Sequence, residues 1–209
     1  MSKRTAGHYF IMRCSPSVYF LTSTLLALGG GCGSTTTADP AAPGAAHVSG
    51  PYFDLRGLLD AQVRQLTARH PGVTKQVSLR GSAPETVRVP QVKWADELQV
   101  FYQADINKAA LHGVYRTDSS TEASGATRRT YTAQPGRENV PVTRLSVLSR
   151  GGQPEEIEAT LRQDNTLFFG QKNLRLTLQQ GQLRTYGVRG TQKLVLFDTL
   201  HYRTTAQVQ

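Results

Sequence analysis

Cysteine and long apolar runs are scarce in this sequence, and each absence limits what the chain can be. Its 209 residues include two cysteines and one tryptophan. Cys14 and Cys32 both lie near the N-terminus, so the rest of the chain has no thiol for a disulfide framework or a metal cluster. The main apolar stretch, residues 18–28, is shorter than the roughly 20 residues that a membrane-spanning helix needs.

The signatures of the common enzyme classes are also absent. We find no Gly-x-Ser-x-Gly elbow, no phosphate-binding loop, no His-Glu-x-x-His and no EF-hand ligand series. These absences weigh against the familiar hydrolases, nucleotide-dependent enzymes and metalloproteins. We therefore expect no enzyme activity and no cofactor.

The first 31 residues have the organisation of an export signal. Three basic residues and no acid precede Cys32, namely Lys3, Arg4 and Arg13. Residues 18–28 have the length of the apolar core of a signal peptide, and three glycines lead from them to Cys32. This arrangement resembles the lipobox of bacterial lipoproteins, in which the chain is cleaved before an acylated cysteine. The resemblance implies lipid attachment at Cys32 and removal of residues 1–31.

Two alternatives stay open at this end of the chain. Gly29 occupies the position three residues before Cys32, where the lipobox usually has leucine. Ordinary secretory cleavage near residues 42–46 would instead release a chain without a lipid. Translation can also begin at Met12, because a basic residue and the apolar stretch follow it; either start leaves the same mature protein.

The segment after Cys32 predicts a tether, and the remainder predicts one domain. Residues 33–50 are mostly small and have no apolar periodicity, which is typical of a disordered tether. Residues 51–209 have the usual length of one domain with one core. We therefore divide the chain into a signal peptide (1–31), a lipid-anchored cysteine with its tether (32–50) and a globular domain (51–209).

Positive charge is unevenly distributed along the chain. From Cys32 to Gly125 there are nine Lys or Arg and nine Asp or Glu, whereas from Ala126 to Gln209 there are twelve and six. A basic balance suits an anionic membrane surface, a polyanionic glycan or nucleic acid. Export makes nucleic acid the weakest of these. The simpler interpretation is that the arginines form the solvated face of a sheet.

Two helices are predicted in the first part of the domain. Asp54 can cap a helix that runs to about His70, where Pro71-Gly72 ends it. The apolar face of this helix consists of Leu55, Leu58, Leu59, Val63 and Leu66. A second helix is predicted over about residues 93–104, with an apolar stripe that includes Trp94.

Outside these helices, alternation with a period of two predicts strands. The predicted strands are residues 73–80, 86–89, 111–117, 128–134, 142–149, 155–162, 166–169, 174–179, 183–188 and 193–204. Gly170 and Gly190 begin two similar segments with Gly181 between them, and we interpret all three as turns. Short connections imply an antiparallel meander. The predicted fold class is α+β: one domain in which a twisted antiparallel sheet, able to form a half-barrel, packs on two α-helices.

The order of these parts resembles a known class of proteins. An anchored cysteine, a small-residue tether, an opening helix and a long meander are similar to small envelope lipoproteins of the Bacteroidetes type, which have no assigned activity. Residues 53–55 (Phe-Asp-Leu) and 103–108 (Gln-Ala-Asp-Ile-Asn-Lys) carry this resemblance. The layout is more distantly similar to the LolA and LolB carriers, whose half-barrel shelters an acyl chain.

The histidines offer few candidates for chemistry. His47 lies in the tether, and His70 lies at a helix end, where a cation complements the helix dipole. Asp198 and His201 can in principle join a distant His112 in a metal site, but nothing in the sequence clusters them. We therefore expect no metal.

Three glutamates lie close together, at Glu155, Glu156 and Glu158. In a strand, Glu156 and Glu158 share one face. Paired acids can divide the acid and base roles of glycoside hydrolysis. They also suit a solvated strand that discourages aggregation, which is the interpretation we favour.

These patterns together predict a non-catalytic binding module. We expect it to be held on a membrane through Cys32 and to bind a hydrophobic or anionic ligand or an envelope protein, and not nucleic acid. The alternative is a structural or assembly lipoprotein that acts through its sheet edge or its basic face; an envelope hydrolase ranks below both. No acidic run follows Cys32, which favours an outer-membrane anchor facing the periplasm over export to the cell surface.

Overall fold

Nine strands form one open antiparallel sheet in the computed structural model, which describes residues 50–137 and 139–209. The strands are β1 (Val73–Leu79), β2 (Glu85–Val89), β3 (Tyr115–Thr121), β4 (Thr127–Ala133), β5 (Val142–Arg150), β6 (Gln153–Asp164), β7 (Phe168–Gln179), β8 (Gln182–Leu194) and β9 (Leu200–Val208). Their order is β2-β1-β9-β8-β7-β6-β5-β4-β3. The predicted meander is therefore confirmed from β3 to β9, and the first hairpin joins it because β1 pairs with β9.

The first helix, α1 (Leu55–Arg69), begins and ends as the sequence predicts. Asp54 Oδ1 accepts a hydrogen bond from the Gly57 backbone N–H at 2.8 Å, which satisfies a donor that the first turn leaves free. His70 has the left-handed conformation that ends many helices, and its N–H donates to the Leu66 carbonyl.

The second predicted helix has the right place but the wrong form. A four-residue helix, α2 (Trp94–Glu97), is followed by a 3₁₀ helix over Gln99–Ala104, and a further 3₁₀ turn covers Ala109–Leu111. The buried side chains of this segment are Trp94, Leu98, Phe101 and Ala104. Their spacing shortens from four residues to three, and three is the repeat of a 3₁₀ helix. Within the described residues, none of the helices is both long and apolar enough to cross a membrane.

Alternation along the strands divides the sheet into two faces. The inner face is defined by buried residues of the central strands: Leu145, Val147, Ile157, Ala159, Leu174, Leu176 and Tyr186. Leu59 and Leu66 of α1 belong to the same buried cluster. The rings of Trp94 and Phe101 meet the ring of Tyr186 edge-on, with centroids 6.4 and 6.1 Å apart. One core therefore lies between the helices and the inner face, and the predicted α+β class is confirmed.

The two stretches that carry the family resemblance meet beside α1. The Asn107 side chain accepts a hydrogen bond from the Tyr52 N–H at 3.1 Å and donates to the carbonyls of Tyr52 and Phe53 at 3.2 and 3.0 Å. Asp105 Oδ1 accepts from the Asn107 N–H at 3.0 Å. These bonds fix the chain that enters α1 against the chain that leaves the 3₁₀ helix.

Of the three predicted glycine turns, the one at Gly181 between β7 and β8 is confirmed, and the other two are wrong. Gly170 lies inside β7 and Gly190 inside β8, so the strands predicted over 166–169 and 174–179 are one continuous strand. Glycine weakens a strand because it has no side chain to pack. At both positions an aromatic ring from the same face occupies the space where a side chain would begin.

The strand predicted over residues 193–204 is also wrong in its first half. Residues 195–199 form a loop, and β9 begins at Leu200. A strand through this segment would place apolar side chains on both faces of the sheet, and there is no core on the outer face to bury them. The nine strands observed, against ten predicted, follow from these differences.

Candidate functional site

The inner face continues beyond the core as a half-exposed apolar surface. Towards one end of the strands it carries Val77, Leu79, Phe168, Val188, Leu194, Leu200 and Tyr202, which we call the apolar strip. Leu79 is 52% exposed and Leu194 is 50% exposed, whereas Leu176 in the core is 2% exposed. The strip is therefore the part of the inner face that the helices leave accessible.

Aromatic rings of the apolar strip lie over two glycines. A β carbon at Gly190 would collide with the ring of Tyr202, and one at Gly170 would lie 2.8 Å from the ring of Phe168. Burial at this position raises the pKa of the Tyr202 phenol above its ordinary value. At the border of the strip, Lys172 Nζ donates a hydrogen bond to a glutamine side chain at 3.3 Å. A narrow apolar ligand can lie on this surface with a cation beside it.

The strip ends in a loop whose apolar side chains are exposed to solvent. We call Leu167, Val195, Leu196 and Phe197 the apolar loop; its two segments meet where the Val195 N–H donates to the Leu167 carbonyl at 3.0 Å. Leu196 is 97% exposed and Phe197 is 69% exposed. Leu196 also has a φ of 73°, a conformation that is unfavourable for leucine. Exposed apolar side chains grouped in this way are typical of a surface that meets a lipid or a partner.

This loop was not predicted, because it lies within the strand predicted over residues 193–204. The available signal was that the segment from Leu194 to Leu200 has apolar residues at both odd and even positions. In an antiparallel sheet with one solvated face, such a strand would leave the apolar side chains of that face exposed to water. That conflict indicates an exposed apolar loop at least as well as it indicates a central strand.

The outer face of the sheet is polar, and ion pairs cross it. Glu156 and Glu158 share this face, as predicted, and Ile157 between them is buried on the inner face. The ion pairs are Arg128 with Glu156 at 3.7 Å, Arg175 with Glu156, Arg175 with Glu158 at 3.6 Å, and Arg150 with Glu155 at 2.9 Å. Each of the three glutamates is therefore held by an arginine.

The described histidines lie apart from one another at exposed positions. His70 caps α1, His112 follows the last 3₁₀ turn, and His201 on β9 bonds a threonine hydroxyl at 3.1 Å. Among the residues that the structure describes, no three His, Cys, Asp or Glu side chains group as metal ligands. His112 is thus not joined to Asp198 and His201. His47 lies outside the described residues.

Both edge strands of the sheet carry charge. On β3, Arg116 and Asp118 form an ion pair at 3.0 Å between exposed side chains. On β2, Glu85 and Arg88 are exposed, and prolines stand directly before and after the strand. Charged side chains and proline discourage pairing of an edge with another chain.

The predicted signal peptide, the acylated Cys32 and most of the tether lie outside the described residues. These predictions therefore stay predictions.

Comparison of the chain with profiles of known protein families, with curated proteins and with solved structures finds no significant match.

Proposed function

We propose that this protein is a lipid-anchored envelope protein whose domain binds an acyl chain on the apolar strip. The observation that carries the proposal is that the inner face continues past the core with half-exposed apolar residues, among them Leu79 and Leu194. A soluble domain gains stability when such residues are covered, at about 25 cal/mol per Å² of apolar surface. An acyl chain is a narrow apolar group without polar features, and such a group suits an open strip of apolar side chains.

The apolar loop supports a lipid as the ligand. Leu196 and Phe197 extend from the end of the strip, so a chain leaving a bilayer meets them before it reaches the strip. Lys172 lies on the inner face at the border of the strip and suits the acidic head of a fatty acid or an anionic phospholipid. In this proposal the open sheet is a half-barrel around the helices, the arrangement that the distant resemblance to acyl-chain carriers implies.

The structural or assembly alternative has less support. Such a protein would act through a sheet edge or through its basic face. Both edge strands carry charged residues, and several arginines of the outer face are already paired with glutamates. Neither feature favours a large protein interface.

Titration with a fluorescent fatty acid tests the proposal. We would use the full chain with Cys32→Ala, so that an acyl group of its own cannot occupy the strip. We expect saturable binding, and a double variant Leu79→Ser with Leu194→Ser should weaken it about thirtyfold, since each exposed leucine contributes roughly 1 kcal/mol of contact.

The matched control is Leu148→Ser, which removes a leucine from the outer face of the same sheet. It should leave fatty acid affinity unchanged. Absence of saturable binding to the parent chain, or equal weakening by Leu148→Ser, would contradict the proposal.

A further inference from the structure

Two arginines stand directly opposite one another on the outer face. Arg189 of β8 and Arg203 of β9 are register partners, so their side chains leave the same face from neighbouring strands. Like charges in this relationship repel and destabilise a sheet. Within residues 50–137 and 139–209, neither guanidinium has a carboxylate within ion-pair distance, whereas nearby Arg175 has two. The positive charge of this pair is therefore not offset by a neighbouring carboxylate, as that of Arg175 is.

The arginine pair borders a concavity of about 650 Å³. Its outer-face lining includes Glu158, Arg175, Thr185, Arg189, Arg203 and Thr205. Gly187 lies between Arg175 on β7 and Thr205 on β9, and its missing side chain leaves the backbone open there. A β carbon at Gly187 would approach the Thr204 carbonyl to 3.0 Å. The lining is therefore closely packed beside Gly187.

The lining offers donors of the kind that bind an oxyanion. Arg175, Arg189 and Arg203 supply guanidinium groups, and hydroxyls of Thr185 and Thr205 lie around Gly187. A guanidinium matches two oxygens of a phosphate with two parallel hydrogen bonds. The one carboxylate in the lining, Glu158, is 3.6 Å from Arg175, which offsets its charge.

We propose that this concavity is a binding site for a phosphate group carried by a polar moiety of sugar or glycerol size. The phosphate would lie between Arg189 and Arg203, where its charge removes their repulsion. The moiety attached to it would extend over Gly187 towards the threonine hydroxyls. This site lies on the opposite face of the sheet from the apolar strip, so it does not depend on acyl-chain binding.

Calorimetric titration of the full chain with glucose 1-phosphate tests the site. Replacing one arginine by glutamine, as Arg189→Gln or Arg203→Gln, should weaken binding at least about tenfold, because the variant loses charge-assisted hydrogen bonds to the phosphate. The conservative variant Arg203→Lys keeps the charge but loses the two-pronged geometry, and it should weaken binding less.

The control is Arg88→Gln on β2, an exposed arginine on the same face outside the concavity. It should bind glucose 1-phosphate as the parent does. Equal weakening by this variant would mean a diffuse charge effect and would overturn the proposal, as would the absence of binding to the parent.

Thermal unfolding separates a ligand site from a merely solvated face. In phosphate-free buffer, Arg203→Gln should raise Tm slightly, because the repulsion with Arg189 is gone. On addition of glucose 1-phosphate, the parent should gain Tm and the variant should gain much less. An equal gain in both chains would overturn the proposal.

A second arm distinguishes the source of the phosphate. Vesicles of phosphatidylglycerol test a lipid headgroup, and glycerol 1-phosphate tests the free group. If Arg189→Gln with Arg203→Gln weakens binding to the vesicles but glycerol 1-phosphate does not compete, the site takes a membrane headgroup. If glycerol 1-phosphate competes with the vesicles, the site binds soluble phosphates. With or without competition, weaker vesicle binding by the double variant supports a phosphate bound by the two arginines.

Discussion

The ring of Tyr202 lies over Gly190 of the neighbouring strand. The two residues are register partners on the inner face, and a β carbon at Gly190 would collide with the Cζ and hydroxyl atoms of the ring. An aromatic ring that covers a strand glycine replaces the packing that glycine lacks. Burial of the Tyr202 phenol raises its pKa above the ordinary value.

We predict that Gly190→Ala displaces the ring of Tyr202. The ring end is free to rotate away, so the cost in the free energy of unfolding should be moderate, about 1 kcal/mol. The phenol becomes more exposed, and its raised pKa should fall towards the ordinary tyrosine value. Urea unfolding measures the first effect, and NMR titration of Cζ-labelled tyrosine measures the second.

The same substitution in a Tyr202→Ala background is the control. With the ring removed, alanine at position 190 meets no obstacle and should be neutral or stabilising, since it lowers the entropy of the unfolded chain. An equal cost in both backgrounds would show that Tyr202 and Gly190 are not coupled.

This contact also explains why the strands around the two glycines could not be predicted. Gly170 and Gly190 read as turns because glycine has the strongest local tendency to interrupt a strand. The rings that allow them to stay within strands come from Phe168, two residues away, and from Tyr202, on another strand. A local pattern does not contain the second of these contacts, which arises only from pairing of β8 with β9.

Gln62 of α1 connects the first helix to the turn between β7 and β8. Its buried side chain donates to the Gly181 carbonyl at 2.9 Å and accepts from the Leu183 N–H at 2.8 Å. We predict that Gln62→Ala lowers the free energy of unfolding by about 2 kcal/mol, because it leaves buried backbone groups without partners. Urea unfolding measures the loss.

Gln65, half-buried on the same helix, is the matched control. Gln65→Ala should change the free energy of unfolding by less than about 0.5 kcal/mol. If Gln62→Ala had an effect as small as this, the two hydrogen bonds would not contribute to the position of α1.

The start of α1 could be predicted, whereas its attachment to the sheet could not. Asp54 caps the helix through a contact three residues along the chain, and local sequence determines such contacts. Gln62 bonds residues that lie 119 and 121 positions away. The identity of its partner depends on which hairpin lies under the helix, and the period of the apolar residues does not specify that.

The buried Tyr115 and the half-buried Tyr102 make stability sensitive to high pH. Burial raises the pKa of Tyr102 and of Tyr115 to about 12. Since these values lie above the ordinary tyrosine pKa of about 10, the folded state holds its phenol protons more tightly than the unfolded state. Their contribution to stability is therefore complete below pH about 10 and is lost as the pH rises through about 12.

The variant Tyr115→Phe tests this dependence. The Tyr115 hydroxyl donates to the Val142 carbonyl at 2.8 Å, so the variant should be less stable than the parent by about 1 kcal/mol at pH 8. At high pH the parent loses the stability that depends on the protonated Tyr115 phenol, whereas the variant has no phenol at this position. The difference in free energy of unfolding between the two chains should therefore be smaller at pH 11 than at pH 8. Urea unfolding at the two pH values measures it; a gap that stayed constant or widened would contradict the prediction.

The apolar strip and the apolar loop show where prediction of the site failed. Alternation predicted strands over residues 174–179 and 193–204 but could not distinguish covered positions from exposed ones. Leu176 and Leu194 both alternate correctly, and only the first lies against the helices. Coverage depends on where the helices end along the sheet, which is a property of the packed domain.

The anchor at Cys32 is the prediction that links the domain to a membrane. Acyl chains contribute about 0.8 kcal/mol per buried methylene, and one chain alone holds only marginally, so two or three on one residue are needed for firm attachment. We predict that the parent chain, expressed in a Gram-negative host, has an acylated N-terminus and stays with the membrane fraction. Cys32→Ala should lack the acyl mass in mass spectrometry and should leave the membrane.

Cys14→Ala is the matched control for this anchor, because Cys14 lies within the predicted signal peptide. Its mature chain should be identical to that of the parent, with the same acyl mass and the same fractionation. If Cys32→Ala and the parent differed only by the mass of the substitution, the lipobox resemblance would not extend to lipid attachment. The domain would then reach a bilayer only through Leu196, Phe197 and the apolar strip, and acyl-chain binding would have to be tested with the released protein.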